Sequence, residues 1–422
     1  MTTTDIRRTI DAVWRIEAAR LVASLVRMVR DVGLAEEVAQ DALVAALERW
    51  PKVGIPDNPG AWLMATAKRR AIDRIRHTKM AAGKAQDIVA DLEAAQDAAP
   101  DPDAGLDDQI GDDLLSLMFT ACHPLLSTEA RAALALRLLG GLTTGEIARA
   151  FLVAEPTMAQ RIVRAKRTLA DAGVSFEVPH GAELGQRLPS VLEVIYLIFN
   201  EGYAATSGDD WIRPQLCEEA MRLGRILAEL APGEPEVHGL VALMEIQASR
   251  FAARTDADGA PVLLLDQNRG QWDRLLIRRG LAALERADAL GEAPGPYRLQ
   301  AAIAACHARA GEAEETDWVR IAALYEALAQ LTPSPVVELN RAVAIGFAFG
   351  PAAGLAHLDP LSNEATLKNY HLLPSVRGDM LEKLGRHDEA RAEFLRGAEL
   401  TQNAREKALL MARAEQTAGR TA

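Results

Sequence analysis

Apolar residues recur along the chain at the three- and four-residue spacing that lines one face of a helix: Ile10, Val13, Trp14, Leu21, Leu25 and Val29, then Val38, Ala42, Ala45 and Leu47. Strand-like alternation is absent, so the pattern predicts an all-α protein. Asn58-Pro59 offers an N-cap followed by proline at the first helical position, which predicts a helix from Pro59 to about Lys79 with an apolar stripe of Trp62, Ala65, Ile72 and Ile75. Just before it, Trp50 to Asn58 contains two prolines and a glycine and is predicted to form a shaped loop. Thr143 stands three residues before Glu146, the capping-box spacing, and predicts a short helix ending near Phe151. After a turn through Leu152-Val153-Ala154, a second helix opens at Glu155-Pro156. It turns Met158, Ile162 and Ala165 inward and Gln160, Arg161, Arg164, Lys166 and Arg167 outward. This is helix-turn-helix grammar, although helical hairpins of this length also arise from packing alone.

Length and charge divide the chain. At roughly 150 residues per domain, 422 residues predict about three domains. Hydrophobic residues at 49% and charged residues at 25% exclude disorder as a description of the whole. No apolar run approaches the ~18 residues of a membrane span and the start, MTTTDIRR, lacks a signal-peptide core, so the expectation is a cytoplasmic protein without a membrane partner. Cys122, Cys217 and Cys306 are far apart with no C-x-x-C, which predicts buried thiols and neither a disulfide framework nor a zinc knuckle. The net charge of -12 hides a partition. Residues 1 to 80 carry 14 Lys and Arg against 10 Asp and Glu, residues 81 to 115 carry 1 against 10, and residues 116 to 180 carry 7 against 5. Two basic modules, 1–80 and 112–180, therefore flank an acidic, alanine- and proline-containing strip, 81–111, that reads as a flexible linker. Residues 181 to 422 are acidic again, with 25 cations against 34 anions.

The chemistry follows the same division. The helix after Asn58 carries Lys68, Arg69, Arg70, Arg74, Arg76, His77 and Lys79, a face able to meet phosphates or simply to be solvated, with Asp73 spaced to pair with Arg69 and His77. Upstream, Glu36, Glu37 and Asp41 form an acidic patch that suits a basic protein partner or, again, plain solvation. In the helix-turn-helix, Glu155, Thr157, Gln160 and Arg161 begin the second helix, where side chains can reach base edges in a major groove. Catalytic grouping is missing: eight histidines are scattered and no Gly-rich phosphate loop or His-x-x-x-His pair occurs. The expectation is a binding protein, not an enzyme, with no cofactor and no metal.

Taken in order, Glu36-Glu37-Val-Ala-Gln40-Asp41, Asn58-Pro-Gly-Ala-Trp62-Leu63, Lys68-Arg-Arg-Ala-Ile-Asp73, Leu142-Thr143-x-x-Glu146-Ile-Ala148 and Thr157-Met-x-Gln-Arg161-Ile-Val-Arg164-Ala-Lys166 resemble a bacterial extracytoplasmic-function (ECF) sigma factor of the minimal two-domain type over residues 10 to 175. The resemblance implies core RNA polymerase (beta-prime clamp and beta flap) and promoter DNA as partners. By position it implies that Glu36, Glu37 and Asp41 face polymerase. The loop from Lys52 to Asn58 would take a flipped base of the minus-10 element, with Lys68, Arg69, Arg74 and Arg76 along the separated strand. Glu155, Thr157, Gln160, Arg161, Arg164, Lys166 and Arg167 would lie on the minus-35 duplex. Leu152 departs from the glycine usual in the turn. The strip is long enough for two elements ~17 base pairs, or ~58 Å, apart, since about 30 residues reach ~100 Å. A helix-turn-helix regulator that is not a sigma factor is the alternative; it would need neither the acidic patch nor the Asn58 loop.

The remaining 240 or so residues read as helical and repetitive. Gly378-Asp-Met-Leu381, Leu384-Gly385, Ala390 and Phe394 resemble the small/large pattern of tetratricopeptide (TPR) repeats, with a weaker form over Ala301 to Leu331. Tyr196 to Tyr203 reads as a core helix with a polar end. Asp266, Gln267, Asn268 and Arg269 with Trp272-Asp273 are denser in polar groups than packing requires and are candidates for a regulatory contact with a protein or ligand. A sigma-like pair with a helical-repeat extension resembles ECF group 42, which implies that the extension is the control element.

Overall fold

The computed structural model describes residues 3–81, 106–151, 153–203, 213–256, 261–401 and 403–418. Among them the chain is helical, the exception being a single isolated bridge between Thr255 and Pro261. It divides into two compact units, Met1–Leu197 and Ile198–Ala422. Helices α1 (Thr3–Val29), α2 (Val32–Val53) and α3 (Pro59–Ala81) pack on one another around Ile10, Leu21, Leu25, Val38, Ala42, Trp50 and Leu63. Asp31 caps α2, its Oδ1 accepting from the Leu34 N–H at 2.7 Å, and Asn58 caps α3 by accepting from the Ala61 N–H at 3.0 Å. Two expectations shift. The stripe of α3 is Leu63, Ala67 and Ala71, while Ala65 is exposed and Trp62, Ile72 and Ile75 are half-buried at its margin. Helix α2 runs on to Val53, so only Gly54 to Asn58 is loop. Pro51 is tolerated because it sits in the last turn, where it leaves without a donor only the carbonyl of the exposed Leu47.

The second basic module consists of α4 (Leu106–Ala121), α5 (Thr128–Leu138), α6 (Thr144–Ala150) and α7 (Glu155–Asp171). Helix α4 begins inside the segment expected to be linker, and Asp113 is buried on it, 3.6 Å from Arg27 of α1. Burial outweighs the arginine there and pushes the Asp113 carboxyl above its ordinary range. Helix α8 (Ala182–Tyr203) crosses the division between the units. Its first half belongs with the first unit: Ser190 takes a hydrogen bond from Arg131 and donates one to the Cys122 carbonyl at 2.6 Å, and Arg187 donates to the Phe119 carbonyl at 2.9 Å.

The second unit continues with α9 (Pro214–Leu230), α10 (Pro235–Ala248), α11 (Arg274–Ala289), α12 (Pro296–Arg309), α13 (Trp318–Leu331), α14 (Pro335–Phe349), α15 (Pro351–Leu358), α16 (Leu372–Lys383), α17 (His387–Leu400) and α18 (Ala404–Ala418). Most pack on the next helix in sequence. In the α16–α17 pair Phe394 is fully buried, and a Cβ at Gly378 would come within 2.7 Å of its ring. The three cysteines are buried, and burial pushes the thiols of Cys122 and Cys217 up to about 12. None of the described helices is long and apolar enough to cross a membrane.

Candidate nucleic-acid interface

The helix-turn-helix is assembled by local chemistry. Thr143 Oγ1 accepts from the Glu146 N–H at 3.2 Å while the Glu146 carboxylate accepts from the Thr143 N–H at 2.8 Å, closing the capping box that starts α6. The Val153 N–H returns to the Ala148 carbonyl at 3.0 Å, and α7 starts at Glu155 with Pro156 in its first turn. Leu152 lies outside the described residues. Met158, Ile162, Ala165 and Leu169 anchor α7, each 5% exposed or less, so the remaining face is turned out. Glu155, Thr157, Gln160, Arg164 and Arg167 are exposed and Arg161 is half-buried. Thr157, Gln160, Arg161 and Arg164 line a groove whose other wall is Leu125, Ser127 and Ala130.

On the first module, Arg69 and Arg76 are exposed on one face of α3, Arg74 is exposed on another, and Lys68 is half-buried. Lys52 projects from the last turn of α2, and the Asn58 side chain is engaged as the α3 cap. The described part of the strip between the modules begins at Leu106, so most of its aspartates lie outside the described residues.

The acidic patch is split. Glu37 is exposed and Asp41 is half-buried, 3.7 Å from Arg70. Glu36 does not lie on the open face: it is 5% exposed, and its carboxylate accepts from Arg137 Nε of α5 at 2.5 Å, from Lys166 Nζ of α7 and from Gln40 Nε2 at 2.5 Å. Lys166, expected on DNA, is thus held by the residue expected on polymerase. Sequence reasoning missed Arg137 altogether, because nothing local marks an α5 arginine as the partner of a glutamate 101 residues away.

Comparison with known proteins follows these two modules. Residues 15–80 match the family model of sigma-70 region 2 and residues 116–169 that of sigma-70 region 4. Residues 187–288 match a family of unknown function, DUF6596. The uncharacterized protein R00370 of Rhizobium meliloti (strain 1021) is 44% identical over 390 residues, which cover 92% of this chain and 91% of that protein. The chain belongs to the same family as that rhizobial protein, and its paired modules are those of an ECF-like sigma factor. The probable ECF RNA polymerase sigma factor SigI of Mycobacterium tuberculosis (strain CDC 1551 / Oshkosh) is 30% identical over 172 residues, 40% of this chain and 57% of its own length. The ECF RNA polymerase sigma factor SigK of Mycobacterium bovis (strain BCG / Pasteur 1173P2) is 28% identical over 158 residues, 36% of this chain and 78% of its own. In this ECF-like sigma factor the region 2 match runs from the middle of α1 to the end of α3, and the region 4 match runs from the second half of α4 to near the end of α7.

Among the regulatory candidates, Gln267 and Asn268 serve their own loop. Gln267 Nε2 donates to the Val262 carbonyl at 3.1 Å, and Asn268 Oδ1 accepts from the Gly270 N–H at 2.9 Å. Asp266 is exposed, whereas Arg269 and Trp272 are buried.

Proposed function

We propose that this protein binds core RNA polymerase and directs initiation at a specific promoter as a group 42-type ECF sigma factor, under the control of its C-terminal helical extension. The observation that carries the reading is the outward face of α7, where Thr157, Gln160, Arg164 and Arg167 stand exposed on a helix locked by a capping box and an apolar inner face. Arg69, Arg74 and Arg76 on α3 supply the track for a separated strand, and stacking on Trp62, half-buried against Trp50 at 5.4 Å, suits an unpaired base. Glu37 and Asp41 are the accessible part of the polymerase-docking patch. Because Glu36 and Lys166 neutralise one another across the two modules, full docking requires the modules to separate first. The extension acts as the control element through a protein or ligand bound to it.

Run-off transcription with purified core polymerase on a library of upstream sequences tests the reading. Specific transcripts are expected from the full chain, with Arg164→Ala and Arg167→Ala each lowering promoter affinity and its salt slope by about one unit per lost phosphate contact. Failure of the chain to associate with polymerase, alongside retained binding to duplex DNA, would favour the regulator that is not a sigma factor.

A further inference from the structure

Where α8 ends and the loop from α10 to α11 folds back, arginines gather on aromatic rings. The Arg254 guanidinium lies 3.6 Å over the Tyr203 ring and donates to the Tyr203 carbonyl. Arg250 is 5.9 Å from the Tyr203 ring and 5.8 Å from that of Trp272, and Arg269 is 4.9 Å from the Trp272 ring. Arg254, Arg269 and Trp272 are more than nine-tenths buried. A cation on a ring gains less than the desolvation of each charge costs, and like charges at this spacing add to the cost. Burial and the neighbouring Arg250 accordingly hold the Arg254 and Arg269 pKa values below the ordinary arginine range.

Elsewhere in the unit the molecule neutralises such groups: Arg225 pairs with Glu245 at 2.7 Å, Arg298 with Asp288 at 2.9 Å, and Arg377 with Asp359 at 2.7 Å. Among the described residues neither Arg250 nor Arg269 has an ion-pair partner. Arg269 is held by the carbonyls of His307 and Ala310, at 2.6 and 2.8 Å, and by Thr316 Oγ1 at 3.1 Å, which fix its position without cancelling its charge. Four donors at the cluster, Arg250 Nε, Arg269 Nε, Trp272 Nε1 and the Tyr203 hydroxyl, are buried without a hydrogen-bond partner among the described residues. Glu314 and Glu315 offset the Arg269 charge only from a distance, and an anion seated among these side chains would give the unpartnered donors an acceptor and Arg250 a counter-charge.

We propose that Arg250, Arg254, Arg269, Tyr203 and Trp272 form a binding site for a small oxyanion, a carboxylate or phosphate group, with Arg250 as the direct ligand. All five residues fall in the segment that matches DUF6596, and the site is the place where a metabolite enters the control element. It rests on the reading of the extension as that element, but its test does not involve transcription. The full chain is titrated with inorganic phosphate and, separately, with succinate, at ionic strength held constant with chloride, following the melting temperature and heats of binding. A saturable rise is expected with one of them, and the tighter one names the chemistry. Arg250→Gln is expected to weaken binding at least about tenfold, Arg250→Lys by less, and Trp272→Phe measurably. The absence of saturable binding by the unmodified chain, or an Arg250→Gln protein that binds as well, overturns the proposal. So does binding that emerges only in an Asp209→Asn/Asp210→Asn protein, because the chain's own carboxylates would then be the occupants. Should Arg250→Gln not fold, the unmodified chain and Arg250→Lys decide.

Discussion

The contacts at Glu36 join the two sigma regions beside the packing of α4 on α1 and the Arg27–Asp113 pair, and cutting them should have a measurable effect. A unit charge pair at about 4 Å is worth ~4 kcal/mol at an effective dielectric of about 20. Arg137 and Lys166 have side chains 18% and 21% exposed and regain hydration when released, so each pairing should contribute a net ~2 kcal/mol to the closed arrangement, or about thirtyfold in the closed-to-open ratio. The perturbations are Glu36→Gln, which keeps shape and removes charge, Lys166→Met, and the two together. Dyes placed by Glu48→Cys and Asp171→Cys, both exposed positions on a chain whose own cysteines are buried, report the separation of α2 and α7 by single-molecule energy transfer. Each single substitution should open the molecule, and the double should open it little further than the stronger single. Coupling below ~0.5 kcal/mol in that cycle, or an unchanged distance distribution in all three proteins, would refute the reasoning. Arg137→Gln supplies the complement: it leaves the α2 carboxylates intact and should raise affinity for core polymerase by roughly tenfold in a direct binding assay.

Other consequences are simpler to measure. A chain ended at Val178 loses the Ser190 and Arg187 bonds and the buried Leu188 and Val191, so its region 2–4 unit should be at least ~3 kcal/mol less stable to urea than one ended at Leu197; equal midpoints would contradict this. His307, pushed down to about 4 by burial and by the positive Arg250 and Arg269, stays neutral in the folded chain while the unfolded chain takes its proton near the ordinary 6.5. Stability should therefore fall as pH drops from about 6.5 to 4, by up to ~3 kcal/mol, and His307→Gln should flatten that part of the profile in chemical denaturation. Cys122, Cys217 and Cys306 should react with a thiol reagent at pH 8 only at the rate of opening, with full labelling after denaturation, since all are buried and the first two are pushed up to about 12. Fast labelling of the native chain would show that these helices open far more readily than their packing indicates.

What the chain discloses before folding is whatever is decided within a turn or two of helix. The Thr143–Glu146 box, the Asn58 cap, and the inward set of Met158, Ile162 and Ala165 all depend on neighbours three or four positions away, and each is found where the spacing places it. The offset stripe of α3 was harder to read because alanine carries little hydrophobic signal: Ala67 and Ala71 are buried while Ala65 is exposed. The end of α2 depended on whether a carbonyl facing solvent could replace a bond lost to Pro51. Glu36 shows the larger gap. Its surroundings in sequence are those of a surface glutamate, and only Arg137 and Lys166, 101 and 130 residues away, bury it. Similarly, the crowded polar run at Asp266 to Asp273 was visible as an anomaly, whereas Tyr203, Arg250 and Arg254, which give it meaning, come together only through the fold.

If Glu36 docks polymerase as proposed, its carboxylate is shared between an inner partner and an outer one, and recruitment becomes a contest of concentrations. The inner competitor is tethered and so present at an effective level on the order of millimolar, whatever the abundance of the chain. Polymerase, arriving as a free particle, would then have to displace it, which would set a threshold below which surplus sigma factor stays silent. On that reading, strengthening the docking face at Glu37 or Asp41 would lower the threshold, whereas strengthening Glu36 itself would tighten both sides of the contest and change little.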